Sequence, residues 1–163
     1  MRKLTLGLMF MVACLCPALA ADPPPDTLFK AGEVSIDLFG DTQFSLADPQ
    51  GMDWGAGVGL NFFPVRHVGV GVEAASSDFT GSFVDRVSLS LLARLPLEGQ
   101  GIAPYAFGGA GWEWEGSRDY TLHAGAGLEF RTRAGWGLFM DMRQVFRDGQ
   151  NSQTARAGVR IAF

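Results

Sequence analysis

Only two histidines, His67 and His123, occur in the 163-residue sequence, so a nucleophile activated by an imidazole base would have to be built on one of them. His123 is followed by Ala124 and Gly125 and not by a serine two positions on. Ser76-Ser77-Asp78 sets hydroxyls beside a carboxylate, but no histidine shares that connecting segment, and His67 falls near the opposite end of its strand. Asp41, Asp48 and Asp53 could hold a divalent cation through oxygen, yet their spacing fits no calcium loop and reads as solvated loop charge. The glycines alternate along extended runs and do not open a helix, so no phosphate loop is present. These residues predict no catalytic site, no metal and no cofactor.

A second set of charges is far more regular. Glu33, Asp37, Glu73, Arg86, Arg94, Glu113, Glu129, Asp141, Arg143, Arg156 and Arg160 each fall within a run of period-two alternation, on the face opposite the apolar one. Eight such runs can be read. Val34, Ile36 and Leu38 make the first apolar face; Trp54, Ala56, Val58, Leu60 and Phe62 the second; Val68, Val70, Val72 and Ala74 the third; Val87, Leu89, Leu91, Ala93 and Leu95 the fourth. The fifth carries Ala106, Gly108, Ala110, Trp112 and Trp114, its register set mainly by keeping Glu113 off that face. Leu122, Ala124, Ala126, Leu128 and Phe130 form the sixth, Trp136, Leu138, Met140 and Met142 the seventh, and Ala155, Ala157, Val159, Ile161 and Phe163 the eighth. No charge falls on any of the eight apolar faces.

Connecting pieces rich in turn residues separate the runs: Gly40 to Met52, Phe63 to Arg66, Ala75 to Ser82, Pro96 to Ala103, Glu115 to Asp119, Arg131 to Gly135 and Arg147 to Ser152. None has room for a crossover helix, so neighbouring strands are expected to be antiparallel, in an up-and-down meander. Closure into a barrel removes the exposed edges such a meander would otherwise carry.

Ahead of the runs, Arg2 and Lys3, an apolar stretch from Leu4 to Leu15 and Ala18-Leu19-Ala20 have the form of a cleaved export signal over residues 1–20. Residues 21–27 read as a Pro-rich periplasmic lead-in, and 28–163 as the barrel domain. Both cysteines, Cys14 and Cys16, fall in the signal, so thiolate sites and disulfides are not expected downstream. With a net charge of −4, the chain also lacks a basic footprint for nucleic acid.

Periodicity defines two faces without saying which one meets the surroundings. The runs are about nine to eleven residues, the length of a tilted strand crossing hydrocarbon. Aromatic residues gather near run ends, at Trp54, Phe62, Trp112, Trp114, Tyr120, Phe130, Trp136 and Phe146, as in the girdles of a membrane barrel. The opposite face pairs six acids with five arginines, which suits a narrow lumen where carboxylates and guanidinium forks can bind each other. Facing glycines would make space for those long side chains. A soluble barrel holding an apolar ligand would instead turn the apolar face inward.

The C-terminal run Ala157-Gly158-Val159-Arg160-Ile161-Ala162-Phe163 resembles the signal read by the outer-membrane barrel assembly machinery, with Val159, Ile161 and Phe163 as its alternating apolar residues. Together with Gly-rich runs such as Ala103 to Gly111 and Ala124 to Phe130, it makes the chain similar to the small eight-stranded outer-membrane β-barrels, the OmpA/OmpX type. The resemblance implies an all-β, eight-stranded antiparallel up-and-down transmembrane β-barrel in the outer membrane. It further implies a non-catalytic protein with a charge-paired lumen, whose partners are outer-membrane lipid, the assembly machinery and an unknown surface ligand at the four outer loops. A narrow porin-like pore is the alternative for the lumen. No peptidoglycan-binding domain follows Phe163 in this sequence, so a wall-tethering role is not carried over.

Overall fold

The computed structural model describes residues 28–45, 52–77, 83–97, 99–114, 119–147 and 150–163. The expected export signal, the lead-in and Asp48 and Asp78 lie outside them. Eight antiparallel strands form one sheet in chain order: β1 (Glu33–Ser45), β2 (Met52–Val65), β3 (Val68–Ser76), β4 (Arg86–Arg94), β5 (Ile102–Glu113), β6 (Asp119–Arg131), β7 (Trp136–Arg147) and β8 (Gln150–Ala162). Pairing of β1 with β8, from Ser35 opposite Ala162 to Ser45 opposite Ser152, closes the barrel and leaves no free edge among the described strands.

Period-two sequence becomes two-faced structure because successive side chains on a strand point to opposite sides. Along β7, Leu138, Met140 and Met142 are exposed, while Phe139, Asp141 and Arg143 are buried. The weakest of the eight runs keeps the expected register: Tyr105, Phe107 and Glu113 point inward and Trp112 points out. The exterior is therefore apolar and the interior polar, the inverse of a soluble core. Trp112 and Ile102 stand ten residues apart on β5, about 33 Å at ~3.3 Å per residue, which a ~40° tilt turns into an apolar band of about 25 Å.

Several strands are longer than their sequence signals suggest. The segment expected to connect the first two runs is strand as far as Ser45 and again from Met52, with Thr42 opposite Trp54 and Gly40 opposite Ala56. Phe63 likewise belongs to β2 and not to a turn, and the β2–β3 turn shrinks to Arg66 and His67. Gly, Asp and Thr in these stretches read as turn formers, but two hydrogen-bonded neighbours hold them extended. Near Pro64, which has no N–H to give, the β2–β3 register slips between Phe62 and Val65.

Lumen-facing glycines seat aromatic rings. A Cβ on Gly125 would come 2.5 Å from Phe107 Cζ, and one on Gly127 2.8 Å from Tyr105 Cζ. Gly158 fills the same role beneath Phe39 and Phe139. The rings collect into two buried groups, Phe63, Leu92, Tyr105 and Phe107 in one and Phe39, Ala75 and Phe139 in the other. The space these glycines leave is taken up by rings more than by the guanidinium groups themselves. Gly125→Val should therefore destabilise the barrel by about 1–3 kcal/mol through overpacking, measured as a lower denaturant midpoint after refolding into lipid vesicles.

Candidate functional site: a charge-paired lumen

The barrel has two unlike ends. One carries Leu28, the first described residue, the C-terminal Phe163 and the β2–β3, β4–β5 and β6–β7 turns; the other carries the four remaining connections. From the turn end upward the interior is organised in charge-balanced clusters.

The lowest cluster is a chain of bonds across the lumen. Arg94 on β4 donates to Glu33 at 2.7 Å, and Arg131 on β6 bonds the other oxygen of Glu33 and also Glu129. Arg160 on β8 reaches Glu129 at 2.7 Å and grips Asp37 through two bonds of 2.7 Å each, while Asn61 donates to Asp37 at 2.9 Å. Arg94, Arg131 and Arg160 thus balance Glu33, Asp37 and Glu129. Above them Arg156 forks onto Asp141 with two bonds of 2.7 Å and also binds Glu73, which Arg143 shares. Tyr105 donates to Asp141 at 2.6 Å and Ser88 to Glu73 at 3.0 Å. Nearer the loop end Arg86 pairs with Asp41, and Arg147 with Glu113.

Each guanidinium in the two lower clusters also lies against a ring, with the arginine carbon 3.7 Å from the Phe63 centroid for Arg94, 5.0 Å from Phe39 for Arg156 and 5.1 Å from Phe139 for Arg160. A planar cation suits this site: its edge takes carboxylates bidentately and its face takes the ring. Isolated charges in so narrow an interior would be costly, and pairing removes that cost only when the geometry is good and the remaining hydrogen bonds are satisfied.

The eleven charges expected in the lumen all point inward; nine are joined in the two lower clusters, and Arg86 and Glu113 are held nearer the loop end by Asp41 and Arg147. Three charges were assigned elsewhere by sequence. Asp41, read as a loop aspartate able to hold a cation, is buried at 5% exposure and bound to Arg86, because β1 continues past Gly40. Arg131, placed in a turn, is the last residue of β6, and Arg147 ends β7. Parity was the available signal, since each keeps the alternation of its charged neighbours. Asp53 is exposed on β2, and the described residues hold no grouping of three or more metal-ligating side chains.

Both histidines are buried. His123 shares a 2.8 Å hydrogen bond with Ser90 across Gly109, with its ring 6.2 Å from that of Phe107; both partners are buried. Ser77 bonds Asp85 through its amide and hydroxyl, at 2.6 and 3.0 Å, and His67 lies at the far end of β3 in the turn with Arg66.

On the exterior, Trp54, Trp112, Trp114, Tyr120 and Phe146 ring the loop end and Phe62, Phe130 and Trp136 the turn end, all exposed. Val159 and Ile161 on β8, and Phe163 just past its end, also face outward beside β1.

No protein-family model and no curated protein matches the chain. Solved structures do. The N-terminal β-barrel domain of Pseudomonas aeruginosa OprF superposes with a TM-score of 0.65 at 16% identity, covering 82% of this chain and 98% of that one. Neisserial surface protein A gives 0.59 at 13% identity over 80% and 96%, and the outer membrane protein OprG of P. aeruginosa 0.58 at 12% over 85% and 99%. The chain has the fold of the small eight-stranded outer-membrane β-barrels. An eight-stranded barrel has an interior just wide enough for side chains to fill, which accounts for the density of the network.

Arg156 is the hub of the middle cluster. Arg156→Met should cost about 3–5 kcal/mol by leaving Asp141 and Glu73 short of a partner, and Arg156→Met combined with Asp141→Asn should recover part of the loss. Unfolding midpoints of the two variants and their parent in the same vesicles measure both.

Proposed function

We propose that this chain is a non-catalytic outer-membrane protein: a barrel embedded in lipid, with a side-chain-filled lumen, contributing to envelope structure or to surface contacts through its four outer connections. The observation that carries this reading is the inverted distribution of polarity, an exposed apolar band bounded by aromatic residues around a charge-paired interior. Lipid favours a closed barrel because every backbone group is then satisfied without water.

The turn end, with Leu28 and Phe163, faces the periplasm in this reading, and the loop end faces outward. Trp54, Trp112, Trp114, Tyr120 and Phe146 form the outer aromatic girdle and Phe62, Phe130 and Trp136 the inner one, with ring faces at the headgroup level. Val159, Ile161 and Phe163 on the closing strand serve as the recognition signal for barrel assembly, after export through a cleaved signal over residues 1–20. The lumen is shut to most solutes, since Phe39, Tyr105, Phe107 and Phe139 occupy it at mid-height together with the arginine clusters. A soluble barrel for an apolar ligand is disfavoured because such a ligand would meet carboxylates and guanidinium groups inside.

Expression of the full chain in a Gram-negative host is expected to yield a detergent-extracted outer-membrane band whose gel mobility shifts on boiling. A soluble band with no shift overturns the reading. Leu91→Arg, an outward change on β4, should lower stability in vesicles by about 2–4 kcal/mol if that face meets the bilayer centre, and should be near neutral in unfolding titrations if it meets water. Single-channel recordings of the purified protein are expected to lack large, stable steps.

A further inference from the structure

Residues 28–32 lie ahead of β1 yet do not trail into solvent. Phe29 is buried at 3% exposure, its ring flanked by the guanidinium groups of Arg94 at 5.1 Å and Arg131 at 4.4 Å. The backbone is tied down on both sides of that ring: Arg131 donates to the carbonyl of Leu28 at 3.0 Å, and Arg94 to that of Lys30 at 3.2 Å. The Lys30 amide donates to Glu33, and Gly32, at a positive φ of 72°, turns the chain into β1 while its amide bonds the Phe63 carbonyl. Leu28 packs against Gly101 in the β4–β5 turn, where a side chain would crowd it.

We propose that this strap is a built-in stopper that seals the lumen at its turn end and can be withdrawn as a unit. Sealing follows from position: Phe29 covers the lowest charge cluster at the turn end, where the side chains of Arg94 and Arg131 are 1% exposed and that of Glu33 3%, and Ser35 is the next inward residue on β1 beyond that cluster. Withdrawal is feasible because the strap supplies only carbonyls and a ring to the two arginines. Without it Arg94 retains Glu33 and the Arg66 carbonyl, and Arg131 retains Glu33 and Glu129. No buried charge loses its counter-ion, so the barrel survives removal of the strap and the lower lumen becomes open to water. The inference rests on the proposed membrane barrel, with the strap on the periplasmic side.

The test introduces Ser35→Cys into the full chain and follows its modification by a charged methanethiosulfonate in detergent micelles, with the parent chain as background. With the strap intact the thiol should resist labelling. Adding Phe29→Ala, or deleting residues 28–31, should accelerate labelling by about tenfold or more while the heat-dependent gel shift persists. Equal labelling rates in folded barrels with and without the strap overturn the proposal, as does a strap deletion or Phe29→Ala change that abolishes the gel shift, since the strap would then belong to the barrel's own fold. Leu28→Gly, a milder loosening, guards the first comparison by keeping Phe29 in place, and should give an intermediate rate. Absence of the gel shift in the parent chain would instead overturn the membrane-barrel reading.

Discussion

Charge pairing inside a space too narrow for bulk water is the constraint on which the rest of this structure depends. Once the apolar faces point outward, every charge on the other face must be met by an opposite charge within the lumen, because a carboxylate or guanidinium left alone there would be strongly destabilising. The arrangement meets this with arginine almost throughout: past residue 20 the sequence has ten arginines and one lysine. Arg160 shows why. One planar head reaches Asp37 with two bonds and Glu129 with a third, linking β8 to β1 and β6, with a ring at its face. A lysine ammonium has neither the fork nor the flat face for that position.

The rings and the glycines follow from the same demand. Fork-shaped cations fill a cross-section poorly, and Phe39, Phe63, Tyr105, Phe107 and Phe139 close the gaps beside them. These rings in turn need room over the neighbouring, hydrogen-bonded strands, and Gly57, Gly69, Gly125, Gly127 and Gly158 provide it. Glycine normally weakens a strand through lost packing and added chain entropy; here the loss is offset by a ring seated where a Cβ would be. Cations, rings and glycines therefore form one packing unit, and a change in any of the three is felt by the other two.

Much of this was legible in the sequence. The eight alternating runs contain the strand order, the face of each residue and the inward set from Glu33 to Arg160, because period two needs no knowledge of neighbours. Strand ends were less legible. Asp41, Phe63, Arg131 and Arg147 were assigned to connections because their surroundings are rich in turn-forming residues, and only hydrogen bonding to flanking strands keeps them extended. The strap around Phe29 was invisible for a different reason: Leu28, Phe29 and Lys30 carry no periodicity, and the segment is held by Arg94 and Arg131, some sixty-four and a hundred residues away in sequence.

By itself the sequence determined the fold class, since alternation with connections too short for crossover helices permits only an antiparallel meander, and it determined which residues share a face. It also determined that the charged face nearly balances in sign. The tertiary structure alone decided which carboxylate each arginine holds, and that the balance is met within each cluster and not merely in total. Those outcomes depend on closing β1 against β8, which sets how the eight strands are staggered. A pattern along one strand carries no information about height relative to a strand across the lumen, and ion pairs form between groups at matching heights.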